Sequence, residues 1–209
     1  MIAQEKIIFM GTPEISSEYL RLLIKKKYNI VAVYTQPPRK KGRGMMLQES
    51  PVQKLAVSEC LKILTPLDLN IEEVKKDLIS IKPDLIVVMG YGQKLPNFFI
   101  EFPKFGCINI HVSLLPRWRG AAPIEYALMN GDIKTGVTIF QINDKMDAGA
   151  IIANQSIYID KEINKKDLTS KLNLLGLNLL NSTIPRIFNK KITYKNQDLN
   201  KITFAKKIS

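Results

Sequence analysis

The first 35 residues place a short apolar run, a helical pattern and a second apolar run in immediate succession. Lys6 to Met10 is apolar after its first residue, as expected for a buried parallel strand. Glu14 to Lys27 then carries apolar residues at helical spacing, and Asn29 to Thr35 is the next strand. This order predicts an α/β fold with a Rossmann-like, doubly wound and mostly parallel sheet, whose ligands bind beyond the carboxyl ends of the strands.

The turn after the first strand limits the kind of ligand. It contains one glycine, Gly11, so the G-x-G-x-x-G fingerprint of dinucleotide-binding folds is absent. This argues against a nicotinamide-dependent dehydrogenase. The pattern also predicts a weak strand at Lys62–Leu64, a helix at Ile71–Ile81 and a strongly apolar strand at Asp84–Met89. Further along, it predicts two strands at Lys134–Ile142 and Ala150–Ile159 and a leucine-rich helix at Lys166–Leu180.

Length and charge narrow the class of protein. A chain of 209 residues, 45% of them hydrophobic, has room for one α/β domain with a real core. No apolar run approaches a membrane span and no signal sequence is recognised, so a soluble, cytoplasmic monomer is expected. A net charge of +12 suits a nucleic-acid partner, but equally a lysine-rich solvated surface. Cys60 and Cys107 lie inside apolar patterns without metal spacing and are expected to be buried thiols.

A long loop is predicted between Gln36 and Ser50. It contains two prolines, two glycines and a group of four cations, at Arg39, Lys40, Lys41 and Arg43. Ordered loops of this length are often functional, and cations on flexible joints can follow a phosphate backbone. The alternative is a solvated surface loop. Ser50 or Glu49 is predicted to cap the helix that Pro51 opens.

The stretch from Cys107 to Pro123 combines a strand with a tight loop. Asn109 and His111, the only histidine of the chain, are two residues apart, so their side chains project from the same face of the strand. A Ser-Leu-Leu-Pro turn and an Arg-Trp-Arg-Gly loop follow, and Pro123 opens a predicted helix. An amide and an imidazole beside a tight loop suit acyl transfer, although a single histidine on a strand is more often a satisfied core residue.

Two loops after predicted strands hold further candidate residues. Asp147 lies beyond the strand at 134–142 and reaches His111 if the two strands end at the same edge. A carboxylate there orients the ring and favours its protonated form, and no serine or cysteine is placed as a nucleophile, so the attacking group is expected to belong to the substrate. Gly90-Tyr91-Gly92 lets a flat ligand approach the backbone. Each segment can also be read as an ordinary turn.

Several of these segments together resemble one enzyme family. Asn109-x-His111, Ser113 to Pro116, Arg117 to Pro123, Thr135 to Thr138 and Asp147-x-Gly149 are similar to segments of the methionyl-tRNA formyltransferases. The resemblance covers nearly all of residues 5–205. Asn-x-His with a distant Asp marks the wider folate-dependent formyltransferases, whereas Arg-Trp-Arg-Gly-Ala-Ala-Pro and the loop at 42–44 resemble the tRNA enzymes specifically.

The resemblance implies a formyltransferase fold and formyl transfer from 10-formyltetrahydrofolate to the α-amine of initiator methionyl-tRNA, for translation initiation, without a metal. Asn109 and protonated His111 are expected to hold the oxyanion, while Asp147 tunes His111 and helps to move the proton of the amine. The folate site maps onto two segments, with the residues Ser113, Leu114, Leu115, Pro116, Gly90, Tyr91 and Gly92. The tRNA acceptor stem is expected to meet the basic loop, with the residues Arg39, Lys40, Lys41 and Arg43.

The resemblance also predicts the domain organisation. Residues 1–188 correspond to the catalytic domain, and the polar, basic residues 189–209 correspond to a linker toward a C-terminal tRNA-binding domain that is absent from this chain. Two alternatives remain at this stage. One is a folate-dependent formyltransferase that acts on a small amine, such as an amino sugar or glycinamide ribonucleotide, and the other is a catalytically silent RNA-binding module of the same fold.

Overall fold

The chain forms two compact units, residues 1–107 and residues 108–209, and the sheet of the first unit is built from parallel strands. The computed structural model of the chain describes residues 4–41 and 45–208, and only the backbone at Lys41. The elements of the first unit are β1 (Lys6–Gly11), α1 (Glu14–Lys25), β2 (Asn29–Tyr34), β3 (Arg39–Lys41), β4 (Met46–Gln48), α2 (Pro51–Ser58), β5 (Ile63–Leu64), α3 (Glu72–Ile81), β6 (Leu85–Met89) and α4 (Asn97–Glu101).

The order of the parallel strands in this unit is β6-β1-β2-β5. Ile7 to Met10 of β1 and Leu85 to Val87 of β6 have no exposed surface, because a parallel strand with neighbours on both sides and helices on its faces is buried throughout. The strands and helices predicted for this half are confirmed to within a few residues, and so is the Rossmann-like α/β class. The predicted cap is also present, since Ser50 Oγ accepts a hydrogen bond from the Gln53 backbone N–H at 2.9 Å.

Two predictions in the first unit are wrong. The segment 36–50 is not a loop throughout, because β3 and β4 pair as an antiparallel hairpin in which Arg39 lies opposite Gln48. Its charged residues lack the apolar alternation by which strands are recognised. Cys60 is exposed rather than buried, since it follows the end of α2 with a left-handed φ of 53°. Cys107 is buried, as predicted.

The second unit is built around antiparallel strands. Its elements are β7 (Cys107–His111, whose first residue belongs to the other unit), β8 (Arg119–Gly120), α5 (Pro123–Met129), β9 (Lys134–Gln141), β10 (Ile151–Tyr158), α6 (Lys165–Phe188) and β11 (Phe204–Ala205). β9 pairs antiparallel with both β7 and β10, and the short strands β8 and β11 pair in parallel. The last helix is longer than predicted and includes Pro185 near its end.

Residues beyond α6 return to the body of the second unit. Lys195 forms an isolated antiparallel bridge with Ile151, and a 3₁₀ turn at Leu199–Lys201 leads into β11. Ala205 is fully buried in a cluster with Trp118 and Ala127. We call residues 195–205 the C-terminal strap; the assignment of 189–209 as a linker toward a further domain stays a prediction.

Candidate active site

His111 is the last residue of β7, and its ring is fixed by the loop that follows. Its side chain is 7% exposed, and Nε2 lies 2.8 Å from the carbonyl oxygen of Trp118. Trp118 itself adopts a φ of 61°, a conformation that is unusual for a bulky side chain and persists only where the surroundings enforce it. The strand end and the strained loop together set the position of the imidazole.

Asp147 faces the other nitrogen of the same ring. Its Oδ2 lies 3.8 Å from Nδ1 of His111 and accepts a hydrogen bond from the backbone N–H of Gly120 at 2.7 Å. The predicted proximity is therefore confirmed, but not by the predicted route. Because β9 runs antiparallel to β7, its carboxyl end at Gln141 lies beside Ile108, at the opposite end of β7 from His111. The loop after β9 carries Asp147 back to the imidazole.

Asn109 lies on β7 two residues before His111 and opposite Phe140 of β9. Its Oδ1 atom is buried and accepts no hydrogen bond from any described residue. Buried side-chain oxygens are normally paired, so an unpaired one on the same strand as His111 marks a position where a donor group of a ligand can bind. The second unit thus brings the three predicted catalytic residues to one region, while their roles in catalysis stay predictions.

Hydrogen bonds from Thr138 and Ser113 stabilise the turn at Ser113–Pro116. Thr138 Oγ1 donates to the carbonyl of Ser113 at 2.7 Å and accepts from the N–H of Leu115 at 3.2 Å. Ser113 Oγ donates to the carbonyl of Arg117 at 2.6 Å, so this hydroxyl is engaged in the turn. A groove of about 490 Å³ opens along the turn and the strap, lined by Leu114, Leu115, Pro116, Arg117, Asn200, Lys201, Ile202 and Thr203.

Asp132 anchors the next part of the loop. Its carboxylate accepts hydrogen bonds from Arg117 Nε at 2.9 Å and from Trp118 Nε1 at 2.7 Å, and the Arg117 guanidinium stacks over the indole at 4.3 Å. Burial by itself would raise the pKa of the Asp132 carboxyl, but the hydrogen bonds from Arg117 and Trp118 and the guanidinium charge hold it below its ordinary value. Asp132 therefore fixes the position of Trp118, whose carbonyl oxygen accepts the hydrogen bond from His111 Nε2.

The second predicted folate segment lies in the first unit, at the carboxyl end of β6. Gly90 and Gly92 have φ values of 60° and 93°, which L side chains rarely adopt. The carbonyl of Tyr91 accepts a hydrogen bond from Thr12 Oγ1 at 2.9 Å, and its side chain is 2% exposed. The turn is thus an ordered backbone surface; its contact with folate stays a prediction.

Three of the four predicted tRNA-binding cations lie in β3 of the first unit. Arg39 and Lys40 are exposed, and Arg39 Nη2 donates to Gln36 Oε1 at 2.9 Å. Neighbouring residues of a strand point to opposite faces, so these two cations do not form one continuous stripe. Lys41 belongs to β3, and Arg43 lies outside the described residues.

Sequence reasoning missed two further groups beside Asp147. Gln197 of the strap and Arg119 of β8 are 8% and 6% exposed. Gln197 Nε2 donates to the carbonyls of Asp147 and Gly149 at 2.9 and 2.8 Å. Arg119 lies in the Arg-Trp-Arg-Gly-Ala-Ala-Pro segment, but the sequence does not indicate a role for it. The polar segment around Gln197 has no periodicity that marks a buried residue.

Comparison with known proteins places this geometry in a family. The family model for formyl transferase matches residues 5–184 of the chain, which contain all three predicted catalytic residues. The chain belongs to the formyl transferase family.

Among similar proteins, the methionyl-tRNA formyltransferase of Listeria monocytogenes serovar 1/2a is 45% identical over 204 residues, 98% of this chain and 65% of that protein. The methionyl-tRNA formyltransferase of Bacillus subtilis strain 168 is 41% identical over 203 residues, 97% of this chain and 64% of that protein. The chain thus spans just under two thirds of the length of these relatives.

Solved structures share the fold at lower identity. A phosphoribosylglycinamide formyltransferase from Bacillus halodurans has a TM-score of 0.75 at 21% identity, over 90% of this chain and 97% of that one. A sugar 3N-formyl transferase, determined in the presence of dTDP and 5-N-formyl-THF, has a TM-score of 0.72 at 23% identity, over 97% and 69% of the two chains. The predicted formyltransferase fold is confirmed.

Residues 4–41 and 45–208 contain no cluster of three or more His, Cys, Asp or Glu side chains arranged to bind a metal. None of their helices has both the length and the apolar character needed to span a membrane.

Proposed function

We propose that this chain is the catalytic part of a methionyl-tRNA formyltransferase, which transfers a formyl group to the α-amine of methionyl initiator tRNA. The observation that carries the proposal is the pairing of His111 and Asp147 at 3.8 Å, beside the unpaired amide oxygen of Asn109. The relatives at 41–45% identity support the choice of substrate. Because the chain spans only part of their length, activity and substrate rest on experiment.

The co-substrate is proposed to be 10-formyltetrahydrofolate, which supplies an electrophilic formyl carbon when bound. The groove of about 490 Å³ along Ser113–Pro116 falls within the usual range for small-molecule sites, and Leu114, Leu115 and Pro116 line it. The backbone of Gly90 to Gly92 is proposed as a second set of folate contacts. No described cluster suits a metal, and the proposed reaction assigns no step to one.

The nucleophile in this proposal is the amine of the substrate. The hydroxyl of Ser113 is engaged with Arg117, and burial raises the pKa of the Cys107 thiol far above its ordinary value, so neither is suited to attack. His111 as an imidazolium and the amide of Asn109 stabilise the oxyanion that develops on the formyl oxygen. The Asp147 carboxylate compensates the charge of the ring and accepts the proton that the amine releases. The bond between the formyl carbon and N10 of the folate then breaks, and the departing N10 takes up that proton, so that tetrahydrofolate leaves as the second product.

The partner is proposed to be tRNA, held in part by the hairpin β3–β4. Arg39, Lys40, Lys41 and Arg43 supply cations near the acceptor stem, and the net charge of +12 favours such a polyanion. Of these residues, Arg43 is proposed to enter the stem, because a guanidinium both stacks and forms fork-shaped hydrogen bonds. The same proposal places the chain in the cytoplasm, as a monomer, with residues 189–209 leading toward a further tRNA-binding domain.

The experiment is a folate-dependent formylation assay with three acceptors at matched concentration: charged initiator tRNA, a nucleotide-linked amino sugar and glycinamide ribonucleotide. Asp147→Asn serves as the inactive control. We expect formyl-methionyl-tRNA from the wild-type chain and none from the variant. Formylation of a small amine alone would reassign the substrate class, and tRNA binding without formylation of any acceptor would leave an RNA-binding module.

A further inference from the structure

Gln197 is a buried amide whose hydrogen bonds are all directed at the surroundings of Asp147. It donates two hydrogen bonds, to the carbonyls of Asp147 and Gly149. It accepts two more at Oε1, from Arg119 Nε at 3.1 Å and Nη2 at 2.7 Å. A glutamine amide has two donor hydrogens and two acceptor positions, so this side chain is fully satisfied and its orientation is fixed.

The residue that Gln197 holds has a costly backbone conformation. Asp147 has a φ of 48°, in the left-handed region that a non-glycine residue enters only when other interactions stabilise it. Gln197 holds the backbone of Asp147 at its carbonyl, and the N–H of Gly120 holds its carboxylate at Oδ2. Two independent hydrogen bonds therefore set where the carboxylate stands relative to His111.

Arg119 links these two points. It precedes Gly120 in β8, and its own side chain grips Gln197. Burial lowers the pKa of its guanidinium, and the nearby Asp147 charge opposes part of that effect. Since the Arg119 backbone N–H also donates to the carbonyl of Thr203 at 2.9 Å, the C-terminal strap and the loop at residue 147 are tied to the same short strand.

We propose that Gln197 is a positioning residue for Asp147, with Arg119 holding the glutamine in place. Neither side chain has to touch substrate; the pair fixes the distance between the Asp147 carboxylate and Nδ1 of His111. The kinetic consequence rests on the proposed formyl transfer, whereas the positional consequence does not. Small displacements of a catalytic group cost on the order of 10²-fold in rate, so loss of Gln197 is expected to lower kcat by about 10-fold to 10²-fold.

The test uses the single histidine of the chain, whose imidazole ¹⁵N signals need no assignment. Four proteins are compared by NMR at neutral pH: wild type, Gln197→Met, Asp147→Asn and Asp198→Asn. The methionine keeps the length of the side chain but removes its hydrogen bonds. Asp198 is the adjacent exposed residue of the strap, paired with Lys201 at 3.2 Å, and its change to Asn leaves Asp147 untouched.

We expect the Nδ1 signal of Gln197→Met to move toward that of Asp147→Asn, while Asp198→Asn keeps the wild-type signal. In the formylation assay, Gln197→Met lowers kcat, calculated per folded molecule, with little change in either KM. Loss of folded protein alone would leave this kcat unchanged. If Gln197→Met does not fold, Gln197→Glu replaces it. That variant retains an acceptor for Arg119 but presents an acceptor to the carbonyls of Asp147 and Gly149.

The outcomes separate the two proposals. Wild-type His111 signals in a folded Gln197 variant overturn the positioning role, whatever the enzyme acts on. A moved signal together with no formylation of tRNA by the wild-type chain supports the positioning role and overturns the proposed function instead. A moved signal with unchanged kcat shows that Gln197 positions Asp147 but that its position does not limit the reaction, which overturns the catalytic consequence.

Discussion

His111 Nε2 lies 2.8 Å from the carbonyl oxygen of Trp118, and this relationship decides which ring nitrogen serves the substrate. A carbonyl can only accept, so Nε2 carries the hydrogen of this bond. Nδ1 is then the nitrogen that faces Asp147, and at 3.8 Å from Oδ2 it makes no direct hydrogen bond to that carboxylate, so a ring with hydrogens on both nitrogens still has its Nδ1–H to offer. Under the proposed function, the hydrogen bond to the developing oxyanion therefore comes from Nδ1, on the side of the ring where Asp147 stands.

The unpaired oxygen of Asn109 leads to a prediction in which activity and stability respond differently. Asn109→Ala is expected to lower kcat by on the order of 10²–10³, because it removes the Nδ2 group that is proposed to donate to the oxyanion. Because Oδ1 has no partner among the described residues, its removal should leave the free energy of unfolding unchanged or raise it by about 1 kcal/mol. Steady-state kinetics and urea unfolding of the same preparation measure both quantities. Turnover within a few-fold of wild type would remove Asn109 from the mechanism.

Asp132 leads to a prediction about pH and stability. Its pKa is held below the ordinary value of 3.8 in the folded chain, so its contribution to stability is present above that value and is lost as the pH falls through the lower folded value. Asp132→Asn is expected to destabilise the protein by about 1.5 kcal/mol near neutral pH, since it replaces a charged acceptor of Arg117 and Trp118. The difference from wild type should shrink as the pH falls below 3.8 toward the lower folded value.

Urea unfolding of both proteins across this pH range measures the effect. Asp198→Asn is the matched control, because the pKa of Asp198 is also lowered, by hydrogen bonds from Asn200 and Lys201, but its side chain is exposed and makes no hydrogen bond to Arg117 or Trp118 among the described residues. A stability difference for Asp132→Asn that stays constant with pH would show that the carboxylate charge does not hold the loop.

The parts of this fold and site that were predictable share one property: they depend on residues close together in the chain. The strand–helix–strand opening follows from local periodicity, and the common direction of Asn109 and His111 follows from a two-residue spacing in a strand. The hydrogen bond from Arg119 to Gln197 joins residues 78 positions apart. Gln197 lies in a polar segment whose composition gives no sign of burial. Long-range pairing of polar side chains has no periodic signature.

The direction of the strands was the second feature that could not be predicted from the sequence. The sequence places Asp147 after a strand, and parallel strands would have brought it to His111 directly. The antiparallel pairing of β7 and β9 requires a returning loop instead, and that loop is stabilised by Gln197 and Gly120. An apolar strand pattern does not specify the direction of its partner, so the contact was predictable but its route was not.

Gly136 leads to a prediction about packing beneath the folate turn. A Cβ at this position meets the backbone carbonyl of Gln155 and lies 2.7 Å from a methyl carbon of Leu114. Gly136→Ala is expected to destabilise the second unit by about 1–3 kcal/mol, because the β9–β10 pair cannot yield without breaking its register. Gly131→Ala is the comparison, since a Cβ there meets nothing within 4 Å and only its φ of 61° is unfavourable.

Thermal and urea unfolding of the two variants measure this difference. The position of Leu114 in the proposed folate groove adds a second readout, because Gly136→Ala should also weaken binding of a folate analogue while Gly131→Ala should not. A Gly136→Ala variant as stable as the wild type would show that the backbone around Gly136 accommodates a side chain.

Lys40 leads to the most specific prediction about the proposed tRNA contact. It is exposed on β3, whereas its neighbour Arg39 is tied back to Gln36. Each phosphate contact contributes about 0.9 to the slope of log affinity against log salt for a duplex, so Lys40→Ala should reduce that slope by about this amount. Lys75→Ala is the matched control, an equal loss of charge from an exposed position on α3.

Binding of initiator tRNA is measured over a series of salt concentrations for the three proteins. Both variants should bind a folate analogue as the wild type does. Equal slopes for Lys40→Ala and Lys75→Ala would show that the hairpin makes no phosphate contact through Lys40, and would leave the net charge of the chain as the source of its attraction to tRNA.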